Sequence, residues 1–373
     1  MLRFQNGINA DSTKYGKGIK YISVSDILNN QYITYDCIKG LIDIDEKTLN
    51  RFIVEYGDIL FQRSSETFED IGRANVYLDK EHSATFGGFV IRGKKISDYN
   101  PLFFRYLLCT HNARKQTVRM GAGAQHYNIG QEGLEKICLY FPCLQEQQKI
   151  SDLLFAIDNK IAVQNKIISK YETLIKGISC DYFSKQPNHI AKLKDLIIKG
   201  KAGGTPSSTV AEYYNGDIPF LSISDMTKQG KYVEFTEKHI SENGLANSSA
   251  WIVPSNSLIL SMYASVGLVC INKVPLATSQ AMFSMMLKDC DMLDYIYYYL
   301  NFFRETQIHR LLETGTQSNI NADTVRDIEI PFYSNILVFV KTLQAIENRL
   351  NNEKDMLSRL MNLKTYLLSS LFI

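Results

Sequence analysis

A chain of 373 residues exceeds the usual size of one compact domain and points to two or three. Apolar residues at 45% and charged residues at 21% are globular proportions, which excludes wholesale disorder. A formal net charge of +2 excludes a polycationic coat but leaves room for positive charge gathered on one face.

The opening Met1-Leu-Arg-Phe-Gln-Asn-Gly7 lacks the apolar core of a secretion signal, and no uncharged apolar run reaches the roughly eighteen residues of a membrane helix. The seven cysteines, at 37, 109, 138, 143, 180, 270 and 290, are odd in number and scattered, which reads as reduced thiols in a cytoplasm.

Along the chain, Gly18-Ile-Lys-Tyr-Ile-Ser-Val-Ser-Asp-Ile27 is followed by Gly57-Asp-Ile-Leu-Phe61 and by Phe89-Val-Ile91, short runs that read as strands. A helical stretch covers 100–116. Then come Gly123-Ala-Gln-His-Tyr-Asn-Ile129 and Leu139-Tyr-Phe-Pro142 before a long helix. The same landmarks then return in the same order. Asp217-Ile-Pro-Phe-Leu-Ser-Ile-Ser-Asp-Met226 matches the first motif, and Asn256-Ser-Leu-Ile-Leu260 the second. A strand is expected at Leu258–Tyr263 and a helix at 291–312. Gly315-Thr-Gln-Ser-Asn-Ile320 and Ile328-Glu-Ile-Pro331 then precede a second long helix. Such order across the chain is a duplication.

The long helices are unusually regular. In the first, Ile150, Leu154, Ile157, Ile161, Gln164, Ile168, Tyr171, Ile175 and Ile178 are spaced alternately four and three apart, a coiled-coil seam. In the second, Phe339, Leu343, Ile346, Leu350, Glu353, Leu357, Leu360, Lys364 and Leu367 repeat the steps, with the polar interruption at the same place. A polar seam residue costs stability and fixes register. A helix of this length with one narrow apolar stripe needs a partner in water. Antiparallel pairing is expected, because parallel pairing would bring the two globular parts into collision. The fold expected is α+β: two tandem, strand-rich mixed α/β domains, separated and followed by long helices that pair as an antiparallel coiled coil with pseudo-twofold symmetry. The boundaries fall at 1–142, 143–186 for the central helix and connector, 187–332, and 333–373 for the last helix.

Searches for catalytic signatures fail. The six histidines stand alone, and the cysteines form no metal-binding pairs, so no metal is expected. No phosphate-cradling glycine loop or nucleophile turn is present. Asn100-Pro-Leu-Phe103 is near an amino-methyltransferase motif, but the glycine-rich cofactor loop is missing, and helix initiation is the better reading. Charge is more telling. From 99 to 131 there is no Asp or Glu, while Arg105, Arg114, Lys115 and Arg119 are present. In the second copy, Lys192, Lys194, Lys199 and Lys201 face a single Asp195 ahead of Gly203-Gly-Thr-Pro-Ser-Ser208. Cations, hydroxyls and amides on glycine-punctuated loops suit a phosphate backbone and base edges.

The segment Gly203-Gly-Thr-Pro-Ser-Ser-Thr-Val-Ala-Glu-Tyr-Tyr-Asn-Gly-Asp-Ile-Pro-Phe-Leu-Ser-Ile-Ser-Asp-Met226 resembles the opening of a target-recognition domain in the DNA-specificity subunit of type I restriction–modification systems. So do Gly315-Thr-Gln-Ser-Asn-Ile320 and the helix start Phe141-Pro-Cys-Leu-Gln-Glu-Gln-Gln-Lys-Ile150. The resemblance spans essentially the whole chain. It implies that each domain reads half of a bipartite sequence in double-stranded DNA, and that the paired helices set the gap. It also implies docking of two methyltransferase subunits and a restriction–translocation subunit. No catalytic residue or cofactor is then expected on this chain, while S-adenosylmethionine, ATP and Mg belong to the partners. Two departures stand out. The first copy lacks a counterpart of Ile190-Ala-Lys-Leu-Lys-Asp-Leu196 and of the family's short helical N-terminal segment, which leaves two expectations: an unpaired strand edge in the first domain, or a true start lying upstream. The glutamine-rich helix start is clear only once, since Tyr333-Ser-Asn-Ile336 replaces it in the second copy.

In the first domain the DNA-contacting candidates are the loop Gln62, Arg63, Ser64 and Ser65, together with Arg119, Gln125, His126 and Tyr127. Lys14, Tyr15 and Lys17 are assigned to phosphates. In the second, Ser261, Tyr263 and Ser265 form the matching loop beside Gln317, Ser318 and Asn319, with Lys201, Thr205 and Ser207 on phosphates. Two other readings compete: an amino-methyltransferase using Asn100, and a DNA-silent coiled-coil scaffold from a partial gene.

Overall fold

The computed structural model describes residues 1–123, 126–310 and 319–372. Gln125, Gln317 and Ser318 lie outside the described residues. The chain separates into unit 1, Met1–Lys166 with Asp355–Ile373, and unit 2, Ile167–Lys354.

Unit 1 runs β1 (Leu2–Asn6), β2 (Tyr15–Ile22), α1 (Val24–Asn29), β3 (Gly40–Ile42), α2 (Glu46–Arg51) and β4 (Ile59–Gln62). Then follow β5 (Ser64–Ser65), β6 (Ala74–Val76), β7 (Thr85–Phe86), β8 (Val90–Lys95), α3 (Pro101–Leu107), α4 (His111–Arg119), β9 (Tyr127–Asn128) and α5 (Gln131–Glu135). The main sheet has the order β1-β8-β4-β6, and a smaller one the order β3-β2-β7. All four β4 residues are buried because both faces of the strand are covered. Ile59 and Phe61 pack with Phe103, Phe104 and Leu107 of α3, while Leu60 faces Ile22, Tyr77 and Phe86. This is the period-two division of a strand between two cores.

The central helix α6 (Leu144–Phe183) begins in unit 1. Unit 2 continues with β10 (His189–Lys192), α7 (Leu193–Leu196), β11 (Ile197–Ala202), β12 (Tyr214–Leu221), α8 (Ile223–Gln229), β13 (Tyr232–Val233), β14 (Lys238–Ile240) and α9 (Glu242–Ala246). Next are β15 (Leu258–Ser261), β16 (Val269–Asn272), β17 (Ala277–Thr278), β18 (Met282–Leu287), α10 (Leu293–Thr306), α11 (Ala322–Arg326), β19 (Glu329–Phe332) and α12 (Ile336–Ser370). Its main sheet has the order β11-β18-β15-β16-β13, its second β14-β12-β17, and β10 pairs with β19. Leu258 and Leu260 join the core under α10, and Ile259 points to Leu221 and Met226, as in unit 1.

The repeated motif encodes the same local event twice. Ser23 and Ser222 each begin a helix, and the carboxylates of Asp26 and Asp225 accept from their backbone amides at 2.8 and 2.9 Å. These are capping boxes, which satisfy amides that a helix start would otherwise leave bare. The expected helix over 100–116 is in fact two helices. Thr110 accepts from the Ala113 amide and starts α4, so the chain turns at 108–110. The later stretch ends its regular helix at Thr306.

Each unit contains an antiparallel pair of long-helix segments. In unit 1 Asp158 bonds Lys364 at 2.5 Å, and Ile150 and Phe372 lie against the same core. In unit 2 Glu172 pairs with Lys354 at 3.0 Å, and Tyr182 stacks on Phe339 at 3.9 Å. Rising numbers on α6 thus meet falling numbers on α12. The seam is buried or half-buried at every assigned position, from Leu154, Ile157, Ile161, Gln164 and Ile168 to Leu343, Ile346, Leu350, Glu353, Leu357 and Leu360. Pairing is not all the helices do. Tyr182, Phe183, Phe339 and Leu343 also enter the unit 2 core. The helix ends therefore dock on the globular part, which the narrow stripe did not predict.

A tyrosine–acid bond fixes that docking in both units. The Tyr106 hydroxyl of α3 donates to Asp158 at 2.8 Å, and the Tyr298 hydroxyl of α10 donates to Glu347 at 2.6 Å. In unit 2 Lys231 completes the site, 2.8 Å from Asp294 and 2.7 Å from Glu347. Burial works against the Lys231 charge, yet the two carboxylates hold its pKa above the ordinary value.

Candidate nucleic-acid interface

In unit 1, β4 ends at Gln62, whose Nε2 donates to the Ser64 carbonyl at 2.9 Å. The Gly72 amide donates back to the Gln62 carbonyl at 3.0 Å and closes the loop over 63–71. The Arg63 amide donates to the Phe89 carbonyl at 2.8 Å and its Nη1 to the Gly88 carbonyl at 3.3 Å. From there β5 pairs with β9, Ser64 opposite Asn128 and Ser65 opposite Tyr127. The Ser64 hydroxyl bonds Asn128 Oδ1, and the Ile129 amide donates to the Arg63 carbonyl at 3.0 Å. Two segments far apart in sequence, both singled out from it, thus share one small sheet. Gly123 makes the turn into it possible: its φ is +141°, and a Cβ there would sit 2.0 Å from the His126 carbonyl oxygen.

Unit 2 repeats the construction. Ser261 occupies the place of Gln62, its hydroxyl 2.6 Å from the Tyr263 carbonyl oxygen and 2.9 Å from that of Ala264. Gly267 closes the loop by donating to the Ser261 carbonyl at 2.8 Å. The Met262 amide donates to Ala281, and its carbonyl accepts from Ile320 at 3.1 Å, the counterparts of the Arg63 bonds. Asn319 therefore arrives at the loop. Ala264 and Ser265 hold φ of 41° and 53°, the left-handed region that costs side-chain-bearing residues energy. Such strain is typical of loops shaped for contact rather than for packing.

The candidates separate by burial. Gln62, Ser65 and Ser261 are buried and build the loops from within. Among the described residues Gln62 Oε1 has no partner, so the loop floor keeps an open acceptor. Arg63, Ser64 and Tyr127 are half-exposed, and His126, Tyr263 and Ser265 are exposed. Lys14 and Tyr15 are exposed at the start of β2, where the Tyr15 hydroxyl accepts from the Ala10 amide, and Lys17 pairs with Asp43 at 3.2 Å. In unit 2 Lys201 is exposed on β11, Thr205 bonds Gln280, and Ser207 bonds Thr209. These two phosphate sets are not equivalent. Gly7 and Gly203 make matching amide bonds, to Val90 and Met282, so Thr205 corresponds to Asn9 rather than to Lys14. Asn9, whose Oδ1 lies against the Gly88 backbone, Phe89, Asn128 and Gln280 belong to the face and were missed. Aligning Gly7 with Gly203 in the sequence would have found Asn9.

The positive charge is thinner than composition suggests. Arg105 donates to the Gln31 carbonyl, and Arg114 to those of Glu69 and Ile71. Burial lowers the Arg114 pKa. Lys192 and Lys194 both pair with Asp327, whose carboxyl is held low by their hydrogen bonds. Lys199 lies over the Trp251 ring at 4.2 Å. Lys115, Arg119 and Lys201 stay exposed with no ion pair among the described residues. Asn100 is a helix cap: its Oδ1 accepts from the Phe103 amide at 2.8 Å and its Nδ2 donates to Gln148 at 2.7 Å. Among the described residues no cluster could hold a metal ion, and no helix is long and apolar enough to cross a membrane.

The family model for the type I restriction modification DNA specificity domain matches twice, at residues 5–173 and 187–354. The type I restriction enzyme HindI specificity subunit of Haemophilus influenzae is 23% identical, covering 92% of this chain and 94% of its own length. The MjaIX specificity subunit of Methanocaldococcus jannaschii is 30% identical over 39% of this chain, and the match spans 34% of that subunit. Among solved structures, the type I S subunit from M. genitalium superposes with a TM-score of 0.61 at 13% identity, covering all of this chain and 94% of the other. A chain from work on complex assembly of the type I system superposes at 0.60 with 13% identity, covering 95% and 90%.

Proposed function

The chain belongs to the type I restriction–modification DNA-specificity family, and from that premise we propose that it reads a bipartite target in double-stranded DNA, one half through each unit. The observation that carries this reading is the twice-built face. In each unit a strand end, a glycine-closed loop and the segment before a short helix converge through equivalent hydrogen bonds, while the exposed side chains differ. Arg63 and Ser64 stand where the buried Met262 and the exposed Tyr263 stand in the other unit, while Asn128 and Asn319 are the same residue at the same place. One scaffold with two sets of side chains suits two different half-sites.

In this reading the domains comprise 1–142 and 187–332, and the helices over 143–186 and 333–373 set the spacing. They also offer docking surface to two methyltransferase subunits and, through them, a restriction–translocation subunit. S-adenosylmethionine, ATP and Mg act on those partners, in the cytoplasm. The sparse free charge implies weak DNA binding by the chain alone, because phosphate neutralisation dominates affinity. Mapping methylated bases in strains with and without the gene tests the proposal. A gapped motif with two halves should vanish with the gene, and an unchanged pattern would overturn it.

A further inference from the structure

The turn over 87–90, which joins β7 to β8, is held at each of its residues. The Val90 amide donates to the Gly87 carbonyl at 2.9 Å and closes it, while Gly87 donates to Ile22 and the Val90 carbonyl accepts from Gly7. Arg63 holds the tip twice, its amide donating to the Phe89 carbonyl at 2.8 Å and its Nη1 to the Gly88 carbonyl at 3.3 Å. Neither glycine leaves room for a side chain: a Cβ would lie 2.5 Å from the Tyr21 ring at Gly87 and 1.7 Å from Asn9 Oδ1 at Gly88. From this support the Phe89 ring stands 66% exposed and, among the described residues, joins neither apolar core of unit 1. Unit 2 builds the same turn, in which Met282 donates to Ser279, Met262 to Ala281 and Gly203 to Met282. Its tip carries Ala281, so at this place only unit 1 has an exposed ring.

We propose that Phe89 is an unstacking wedge: its ring enters the base stack of the half-site read by unit 1 and opens one base step there. This rests on the bipartite reading above and deepens it. Arg63 and Asn9, which flank the tip, can hydrogen-bond phosphates and base edges. A phenyl ring can do neither, so its gain on binding comes from leaving water against something apolar or flat. DNA offers it a thymine methyl in the groove, or the faces of bases in the stack. A methyl contact is met by a side chain as small as alanine. Entry into the stack needs a flat, stiff ring on a support that does not yield, which the pinned turn supplies. The cost is the stacking lost at the opened step, so steps that unstack easily are favoured, a selectivity exerted without a hydrogen bond to any base.

The test uses the complex of this chain with its methyltransferase subunits, and duplexes carrying the gapped motif found by methylome mapping. A fluorescent base analogue is placed at successive positions, one duplex at a time. Binding should brighten the analogue at one step of the half read by unit 1, and that signal should disappear in Phe89→Ala. The affinity of Phe89→Ala should fall about tenfold or more, with its salt dependence unchanged because no phosphate contact is lost. Phe89→Trp keeps a flat ring and should restore both signals, while equal thermal unfolding confirms that the variants fold. The wedge is overturned if no step brightens in a way that depends on Phe89, or if Phe89→Ala binds within about twofold of the unaltered complex. It is also overturned if uracil in place of thymine, which removes only the methyl, reproduces the loss, because that marks a groove contact. An unaltered complex with no preference for the gapped duplex over a scrambled one would sink the bipartite reading and the wedge together, whereas a preference undiminished in Phe89→Ala would sink the wedge alone.

Discussion

Replacing Lys231 by methionine removes one cation from between two carboxylates while keeping most of the side-chain volume. Lys231 Nζ lies 2.8 Å from Asp294 and 2.7 Å from Glu347, and its side chain is only 10% exposed. At these separations each attraction is about 6 kcal/mol for an effective dielectric near 20, before desolvation is subtracted. Breaking such a buried arrangement from one side typically costs about 3 kcal/mol or more, because the charges left behind are uncompensated. Here two acids would remain face to face. The cost should depend on pH. Burial, the largest influence on Asp294, pushes its carboxyl up, but the hydrogen bond and charge of Lys231, with Gln344 and Tyr232, hold it below the ordinary range. A lowered acid stabilises the fold above its unfolded pKa, and that contribution disappears as pH falls through the folded value. Lys231, held high, contributes below its unfolded pKa and stops only as pH rises through its folded one. Both contributions are therefore present at pH 7, and the acid's is lost on acidification past about pH 4. Urea unfolding, with hydrogen exchange at 293–306 and 336–350 as the local probe, should show Lys231→Met losing about 3 kcal/mol at pH 7 and at least about 1.4 kcal/mol less than that at low pH. A loss under about 1 kcal/mol, or one unchanged between the two conditions, would refute the reasoning.

Other outcomes are specific to the recognition faces and the helices. Arg63→Ala with Asn128→Ala should change one half of the methylated motif and leave the other intact, as read by methylome sequencing; a change in both halves would contradict independent reading. Gly267→Ala meets Ile308 Cδ1 at 2.3 Å from a backbone with φ of 78°, and should cost about 1 kcal/mol or more in thermal unfolding while altering only the half read by unit 2. Deleting one heptad from each long helix keeps the seam in phase, so the permitted gap between half-sites should change and the halves should not.

The duplication and the seam were legible because they rest on spacing, which sequence displays directly. Gln164 and Glu353 mark the same step in both helices, and both lie inward, as the pattern requires. The docking of the helix ends was not legible. Phe339 read as a seam residue, and only the structure shows it, with Tyr182, entering a domain core. The loops were legible as places but not as roles. Gln62 and Ser261 look like contact residues because they are polar and follow a strand. Yet at such a position a short polar side chain can bond its own loop, and both do. The basic stretches misled for a similar reason: Arg105 and Arg114 end on backbone carbonyls contributed by distant parts of the chain, which no local pattern reveals.

The tyrosine–acid bond recurs in both units with a lysine beside it, but the lysine comes from a different part of the chain in each, and that difference can be measured. In unit 1 the Tyr106–Asp158 bond is completed by Lys364 from α12, at 2.5 Å. The Lys364 side chain is 29% exposed, against 10% for Lys231. Without Asp158, Lys364 can turn toward water on its flexible stem. Lys231 is hemmed in by Tyr232, Tyr297 and Tyr298 and has no such exit. Asp158→Asn keeps a hydrogen-bond acceptor for Tyr106 and removes only the charge, so its cost should be about 1 kcal/mol, close to that of an ordinary hydrogen-bonded pair. Glu347→Gln keeps the same acceptor for Tyr298 and leaves Lys231 with Asp294, but Lys231 is the less exposed lysine and cannot turn to water, so the cost should be about twice as large. Measured side by side by urea unfolding with local exchange probes, the two neutral substitutions separate burial from charge. Equal costs would mean that solvent screens both sites alike, and that the tyrosine bond, common to both units, is what anchors each helix.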